Sequence, residues 1–185
     1  MYKQRCFHRQ KHILLSLFVL QFADTMVTRL ATIHITNRTK GYILRNPRCY
    51  FFSGYCLTPL PTSLGPSECD VALFCKTEGT ACGSVGVFTY DLYDESKNTA
   101  DKKIAVMFSV PFDYSLYSNW YAVGGFDRQT KCDYDLYVKM YYSDERGFVR
   151  GKADVNDLTY TVNDVTVKSS MTNSNVATLK VDVHS

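Results

Sequence analysis

The sequence predicts a mainly β protein, a β-sandwich with one short helix lying on a sheet. Three observations point there. Apolar residues recur at every second position over most of the chain, and turn signals interrupt them roughly every 8–12 residues. One later segment switches to helical spacing. The 185 residues are 45% hydrophobic and 21% charged, a balance that suits one globular domain and excludes disorder, collagen-like repeats and coiled coil.

Residues 1–30 differ from the remainder. Four of the 21 basic residues, Lys3, Arg5, Arg9 and Lys11, precede the first acid, Asp24, so from Ile13 onward 17 bases face 18 acids. The folded part is near neutral and carries no nucleic-acid footprint. Ile13 to Ala23 is an apolar run of about eleven residues, too short for a bilayer core that needs about 20. One reading is a secretory signal cut after Ala23, although Gln21 is large for the −3 position. The other is a retained helix, with Leu15, Val19, Phe22, Met26 and Leu30 on one stripe and Asp24, Thr25, Thr28 and Arg29 opposite. Both stand at this level, and the chain divides into an N-terminal segment, 1–30, and a β domain, 31–185.

From residue 31 the elements follow in order. Ile33 and Ile35 alternate with Thr32, His34 and Thr36 in a half-exposed strand, and 37–41 is a turn whose Asn37 opens an N-x-T sequon. Strands are expected at Tyr42 to Leu44, Arg48 to Phe52, Val71 to Lys76, Val85 to Tyr93, Ile104 to Ser109 and Tyr121 to Phe126. Three of the five prolines fall in Leu57 to Pro66, which reads as a loop. Leu158/Tyr160/Val162, Val165/Val167 and Ala177/Leu179/Val181/Val183 alternate as closing strands. Tyr134, Tyr137 and Tyr141 recur at helical spacing behind the N-cap candidate Asp133.

No nucleophile elbow, metalloprotease helix, phosphate loop or dinucleotide fingerprint occurs. Asp113, Asp133 and Asp135 read as turn and cap acids rather than as a catalytic pair. Seven cysteines lack zinc spacing and four histidines complete no metal set, so neither metal nor cofactor is expected. Cysteine spacing fixes no disulfide connectivity, and buried thiols are an equally good reading. The informative feature is aromatic. Of 14 tyrosines, Tyr114, Tyr117, Tyr121, Tyr134, Tyr137, Tyr141 and Tyr142 crowd together around the single Trp120. Those in the loop after Pro111 cannot all turn inward, so an exposed apolar patch is expected there.

Ser109-Val110-Pro111-Phe112-Asp113-Tyr114 and Tyr117-Ser118-Asn119-Trp120, with Gly83-Ser84-Val85-Gly86-Val87, Phe52-Ser53-Gly54, Leu136-Tyr137 and Met140-Tyr141-Tyr142, resemble the actinoporins, the pore-forming toxins of sea anemones, and their actinoporin-like relatives. The resemblance covers roughly Ala31 to Ser185. It implies a β-sandwich flanked by two α-helices, one N-terminal and one bearing the tyrosines. It further implies a secreted protein, held in a nematocyst if the source is a cnidarian, acting on a target cell membrane. There the family binds phosphocholine headgroups, sphingomyelin by preference, forms a homo-oligomer and inserts its N-terminal helix as a cation-conducting pore. By position the headgroup residues are Ser53, Val85, Ser109, Pro111, Tyr117, Tyr137, Tyr141 and Tyr142, and the lipid-contacting residues are Phe112, Leu116, Trp120 and Tyr121. An aromatic cage of Tyr117, Tyr137 and Tyr141 suits a quaternary ammonium, and serine and tyrosine hydroxyls suit its phosphate. The chain departs from the family at Leu116 and Tyr121, where tryptophan is usual, at Phe52, where a base is usual, and at Ser143 to Phe148, where an Arg-Gly-Asp-like turn is usual. The alternative is a lectin-like lipid- or glycan-binding sandwich that forms no pore.

Overall fold

The computed structural model describes residues 29–185. The expected signal or helix in residues 1–28 lies outside the described residues. Twelve strands form two six-stranded sheets. The first runs β10(Leu158–Val162), β11(Val165–Met171), β12(Val176–His184), β1(Leu30–Arg38), β5(Cys69–Cys75), β3(Tyr55–Thr58). The second runs β4(Ser63–Leu64), β2(Tyr42–Ser53), β6(Ser84–Asp94), β7(Thr99–Val110), β8(Trp120–Asp127), β9(Phe148–Lys152). Every pairing is antiparallel except β1 with β12.

The two-residue period decides what each face does. Along β6, Phe88, Tyr90 and Leu92 point between the sheets; along β7, so do Ile104, Val106, Phe108 and Val110. They meet Ile33, Ile35, Phe74, Leu179, Val181 and Val183 of the first sheet. The alternate residues Val85, Val87, Ala105 and Met107 form a second apolar layer on the outside of the second sheet. That layer needs a cover, because a sheet buried on one face only is not apolar on both. The cover is α1(Tyr134–Tyr142), which lays Leu136, Tyr137 and Met140 on it. Each buried side chain of this size stabilises the docking by about 1.5–3 kcal/mol.

The helix is where the tyrosine spacing places it. Asp133 caps it by accepting from the Leu136 amide at 3.2 Å, and the Ser143 amide closes it on the Lys139 carbonyl at 3.1 Å. Other expectations need correction. Tyr42 to Leu44 and Arg48 to Phe52 are one strand, β2, interrupted by a bulge at Asn46 and Pro47, where Asn46 takes φ 52°. The bulge accommodates a proline that has no N–H to give a ladder. The proline-rich stretch is not all loop, since β3 and β4 edge the two sheets there. β9 was invisible because Phe148–Lys152 shows no alternation over its five residues.

The sequon also changes meaning. Asn37 is 0% exposed, its amide donates to the Tyr42 and Leu64 carbonyls, and its oxygen accepts from Thr39. A side chain so committed holds a turn and offers no glycan acceptor in the folded chain. The six described cysteines are all free thiols, and burial pushes those of Cys75 and Cys132 up to about 11, so they stay protonated and unreactive near neutrality.

Candidate functional site

Strand register draws one row of residues across the end of the second sheet. Ser53 of β2 pairs with Val85, Val85 with Ser109, Ser109 with Trp120, and Trp120 with Lys152 of β9. Directly paired residues share a face, so all five point to the side that carries α1. Four of the residues expected at the site, Ser53, Val85, Ser109 and Trp120, are thus brought together by backbone pairing alone.

Two glycines make the row possible. Gly54, at φ +94°, turns the chain from the second sheet into the first, and a Cβ there would sit 2.3 Å from the Cys75 carbonyl. At Gly83 a Cβ would sit 2.1 Å from the Val110 carbonyl. The close approach lets Ser53 donate its hydroxyl to the Gly83 carbonyl at 2.8 Å. Its lone pairs stay available, but its proton must leave that carbonyl before it can serve a phosphate.

Above the row stands an aromatic wall. Phe52 stacks on Tyr137 at 5.0 Å between centroids and 17° between planes. Tyr137 leans on Tyr141 at 5.6 Å, and Tyr141 meets Tyr142 edge to face at 4.6 Å. Tyr50 and Tyr134 extend the wall towards the helix start. Helical spacing of three and four residues is what lines up Tyr134, Tyr137 and Tyr141 on one side.

The expected cage of Tyr117, Tyr137 and Tyr141 does not form as such. Tyr137 is 3% exposed, with one face under Phe52, and burial together with the neighbouring phenols pushes its own phenol up. It is a floor for the wall rather than an open ring. Tyr117 stands out on the loop between β7 and β8, and among the described residues no ring contact joins it to the helix tyrosines. The rings with free surface are Phe52, Tyr134 and Tyr142, all exposed, and Tyr141, half-buried.

The loop of residues 111–119 leads away from the row. Pro111 is half-buried at its start, Phe112 and Leu116 are exposed, and Leu116 reaches 72%. Trp120 is half-buried at its end, flanked by Arg150 at 5.5 Å and Lys152 at 5.8 Å from the ring centre. Tyr121 departs from the expectation of lipid contact. It is 1% exposed, faces Phe108 across the ladder inside the sandwich, and donates its hydroxyl to the Asn156 carbonyl at 2.7 Å. Because β8 starts at Trp120, the pleat sends Trp120 outward and Tyr121 inward.

What holds this loop was not legible as a site. Asn119, 0% exposed, donates through its amide to the Thr172 and Ser174 carbonyls at 2.9 and 3.0 Å, and its oxygen accepts from the Tyr114 hydroxyl at 2.7 Å. Its backbone N–H donates to Asn173 and its carbonyl accepts from Ala153. Arg29, just before β1, donates to the Pro111 and Phe112 carbonyls and lies 5.2 Å from the rings of both Phe112 and Tyr114. Asp113 accepts from the amide and hydroxyl of Ser115, which holds its carboxyl below the usual range. An exposed apolar loop is therefore tied at both ends to the sandwich. The only sequence signal for Asn119 was its place in the Tyr-Ser-Asn-Trp run.

The family model described as "Sea anemone cytotoxic protein" matches residues 17–185. Among similar proteins, Bryoporin of Physcomitrium patens is 36% identical over 117 residues, 63% of this chain and 62% of its own length. DELTA-actitoxin-Aas1a of Anthopleura asiatica is 37% identical over 118 residues, 63% of this chain and 52% of its own. The matches thus span between half and just under two thirds of these relatives. In fold, the chain resembles the lipid binding protein Nakanori, with a TM-score of 0.70 at 16% identity over 93% of this chain and 79% of that one. With its sandwich, its outer helix and a match over most of its length, this chain is a member of the sea anemone cytotoxic protein family, the actinoporins.

Proposed function

We propose that this protein is a pore-forming cytolysin that is secreted, binds phosphocholine headgroups, sphingomyelin above all, and assembles into a homo-oligomer in the target cell membrane that conducts cations. One observation carries the reading: the row from Ser53 to Trp120, the tyrosine wall and the exposed loop meet at one end of the sandwich. A quaternary ammonium gains about 0.5–2 kcal/mol from an aromatic face, and here it would meet Phe52, Tyr141 and Tyr142 with Tyr137 beneath. The phosphate, joined to the ammonium through two methylenes and an oxygen, would take hydrogen bonds from Ser53 and the free phenol hydroxyls, with Ser109, 4% exposed, in the floor of the row. Phe112, Leu116 and Trp120 would enter the interface. The chemistry needs no metal, cofactor or catalytic residue.

Permeabilisation is assigned to the N-terminal segment. No helix among the described residues is long and apolar enough to cross a membrane, and opening a sandwich in hydrocarbon would expose unpaired backbone groups. The family match reaches back to residue 17, inside the apolar run, which favours a retained segment over a signal cut after Ala23. The spanning stretch stops short of Leu30, where β1 begins and pairs with Cys75 and Val176. It has to end by Arg29. With Asp24 and Thr28 facing a lumen, Leu15, Val19, Phe22 and Met26 would face lipid, while Arg29 stays with the sandwich on the Pro111 and Phe112 carbonyls.

Two measurements test this. The full chain is expected to bind vesicles containing sphingomyelin or phosphatidylcholine, with free phosphocholine competing; equal binding to vesicles without choline lipids would remove the headgroup site. The full chain is also expected to release trapped dye, whereas a chain beginning at Arg29 binds and releases none. Leakage by the shortened chain defeats helix insertion. Binding without leakage by either chain would favour the lectin-like alternative.

A further inference from the structure

The two aromatic residues that bracket the exposed loop are each attended by two cations. Arg29 and Lys76 stand 5.2 and 5.6 Å from the centre of the Phe112 ring. Arg150 and Lys152 stand 5.5 and 5.8 Å from that of Trp120. The first pair is set by β1 and β5, where the Lys76 amide donates to the Arg29 carbonyl at 3.0 Å. The second is set by β9, whose Lys152 lies directly opposite Trp120. One end of the fold therefore presents two rings and four positive side chains.

The four do not play one part. Arg29 is bonded to loop carbonyls, and Arg150 to the Tyr141 carbonyl and the Asp144 carboxylate. They position the loop and the helix end. Lys76 and Lys152 are different: among the described residues neither ammonium is paired with a carboxylate or bonded to an acceptor. Of the acids in this region, Asp113 is engaged with Ser115, Asp144 with Arg150 and Asp154 with the Asn173 amide, and Glu78, two residues beyond Lys76, forms no ion pair with it.

Resting on the membrane-binding reading, we propose that Lys76 and Lys152 are contacts for anionic phospholipid, so that the protein favours bilayers carrying negative headgroups beside the choline lipid it seats on the tyrosine wall. Aromatic rings settle at the headgroup level of a bilayer. A lysine with its stem along such a ring holds its ammonium in the wet layer just outside, at the depth of the phosphates. Phe52 puts no charge beside the β2 end of the row, whereas Lys152 puts one at its β9 end. The site thus has an uncharged aromatic flank on β2 and a cationic flank on β9.

The experiment is vesicle sedimentation with the full chain, on vesicles of phosphatidylcholine and sphingomyelin and on the same vesicles with part of the phosphatidylcholine replaced by phosphatidylserine. At low ionic strength phosphatidylserine is expected to tighten binding about fivefold for each lysine, and salt is expected to erase the gain. Lys76→Gln with Lys152→Gln should lose the gain and keep its binding to the neutral vesicles. Lys97→Gln, which removes one positive charge at the hairpin on the opposite end of β6 and β7, should keep both. No gain from phosphatidylserine, a gain that survives in the double variant, or a gain lost equally in Lys97→Gln overturns the proposal while leaving the choline reading intact. Failure to bind any vesicle overturns the membrane reading and this inference with it.

Discussion

Replacing Asn119 by alanine tests whether the exposed loop is held by hydrogen bonds rather than by packing. The substitution removes three side-chain bonds, to Thr172, Ser174 and Tyr114. Ser174 keeps the Tyr114 hydroxyl at 2.7 Å, so the Thr172 carbonyl is the group that loses a partner outright. The Tyr114 hydroxyl has one proton and keeps it on Ser174, so two net hydrogen bonds at about 1 kcal/mol each, with one acceptor left short, give about 2–4 kcal/mol. Water reaching the half-buried carbonyls pulls the value towards the lower end. With an m-value of about 2 kcal/mol/M, the urea midpoint falls by about 1–2 M. Asn119→Asp separates the two explanations. It preserves volume and the acceptor for Tyr114, yet sets carboxylate lone pairs against two carbonyl oxygens. It is expected to destabilise at least as much as alanine. A loss under about 0.5 kcal/mol for alanine, or a much milder effect for aspartate, would refute the account.

Trp120 is the only tryptophan, so its emission reports one place; a blue shift with choline-lipid vesicles is expected, and an unchanged spectrum in a sedimenting sample would mean that another surface makes contact. Tyr141→Ala should weaken choline-lipid binding by about 0.5–2 kcal/mol with little change in the urea midpoint, whereas Tyr137→Ala should lower the midpoint as well, because it removes a buried ring; equal midpoints would contradict the floor-and-wall arrangement. Asp113 is held below its ordinary value of 3.8, chiefly by the Ser115 hydroxyl and amide. A depressed carboxyl contributes stability above its unfolded pKa and loses it as pH falls through the folded one. Wild type and Asp113→Ala should therefore differ in stability at pH 6 and converge in strong acid, and a constant gap across that range would count against the turn.

The strands and the helix were legible because their cause is local. A two-residue period in Val165/Val167 or Leu179/Val181 states which face is buried wherever the strand pairs, and Tyr134/Tyr137/Tyr141 behind Asp133 states a capped helix. β9 and the join across Pro47 were not legible, since a partner strand defines the first and a bulge opposite β6 permits the second. At the site, the residue types stood in the chain but their facing did not. Trp120 and Tyr121 are adjacent and chemically alike, and only the point at which β8 joins the ladder turns one to solvent and the other to the core. Likewise, nothing in the order of residues says that Phe52 lies over Tyr137, that Asn119 and Arg29 fasten the loop, or that Lys152 ends the row begun at Ser53.

The alternation that makes a sandwich, the capped tyrosine helix and the aromatic loop are all written in the order of residues. Tertiary structure alone decided which aromatic rings remain open and which cations stand beside them. The reason is physical: period and propensity act over a few residues, whereas register pairs residues 11 to 32 positions apart along the Ser53–Val85–Ser109–Trp120–Lys152 row, and only the closed core fixes that register.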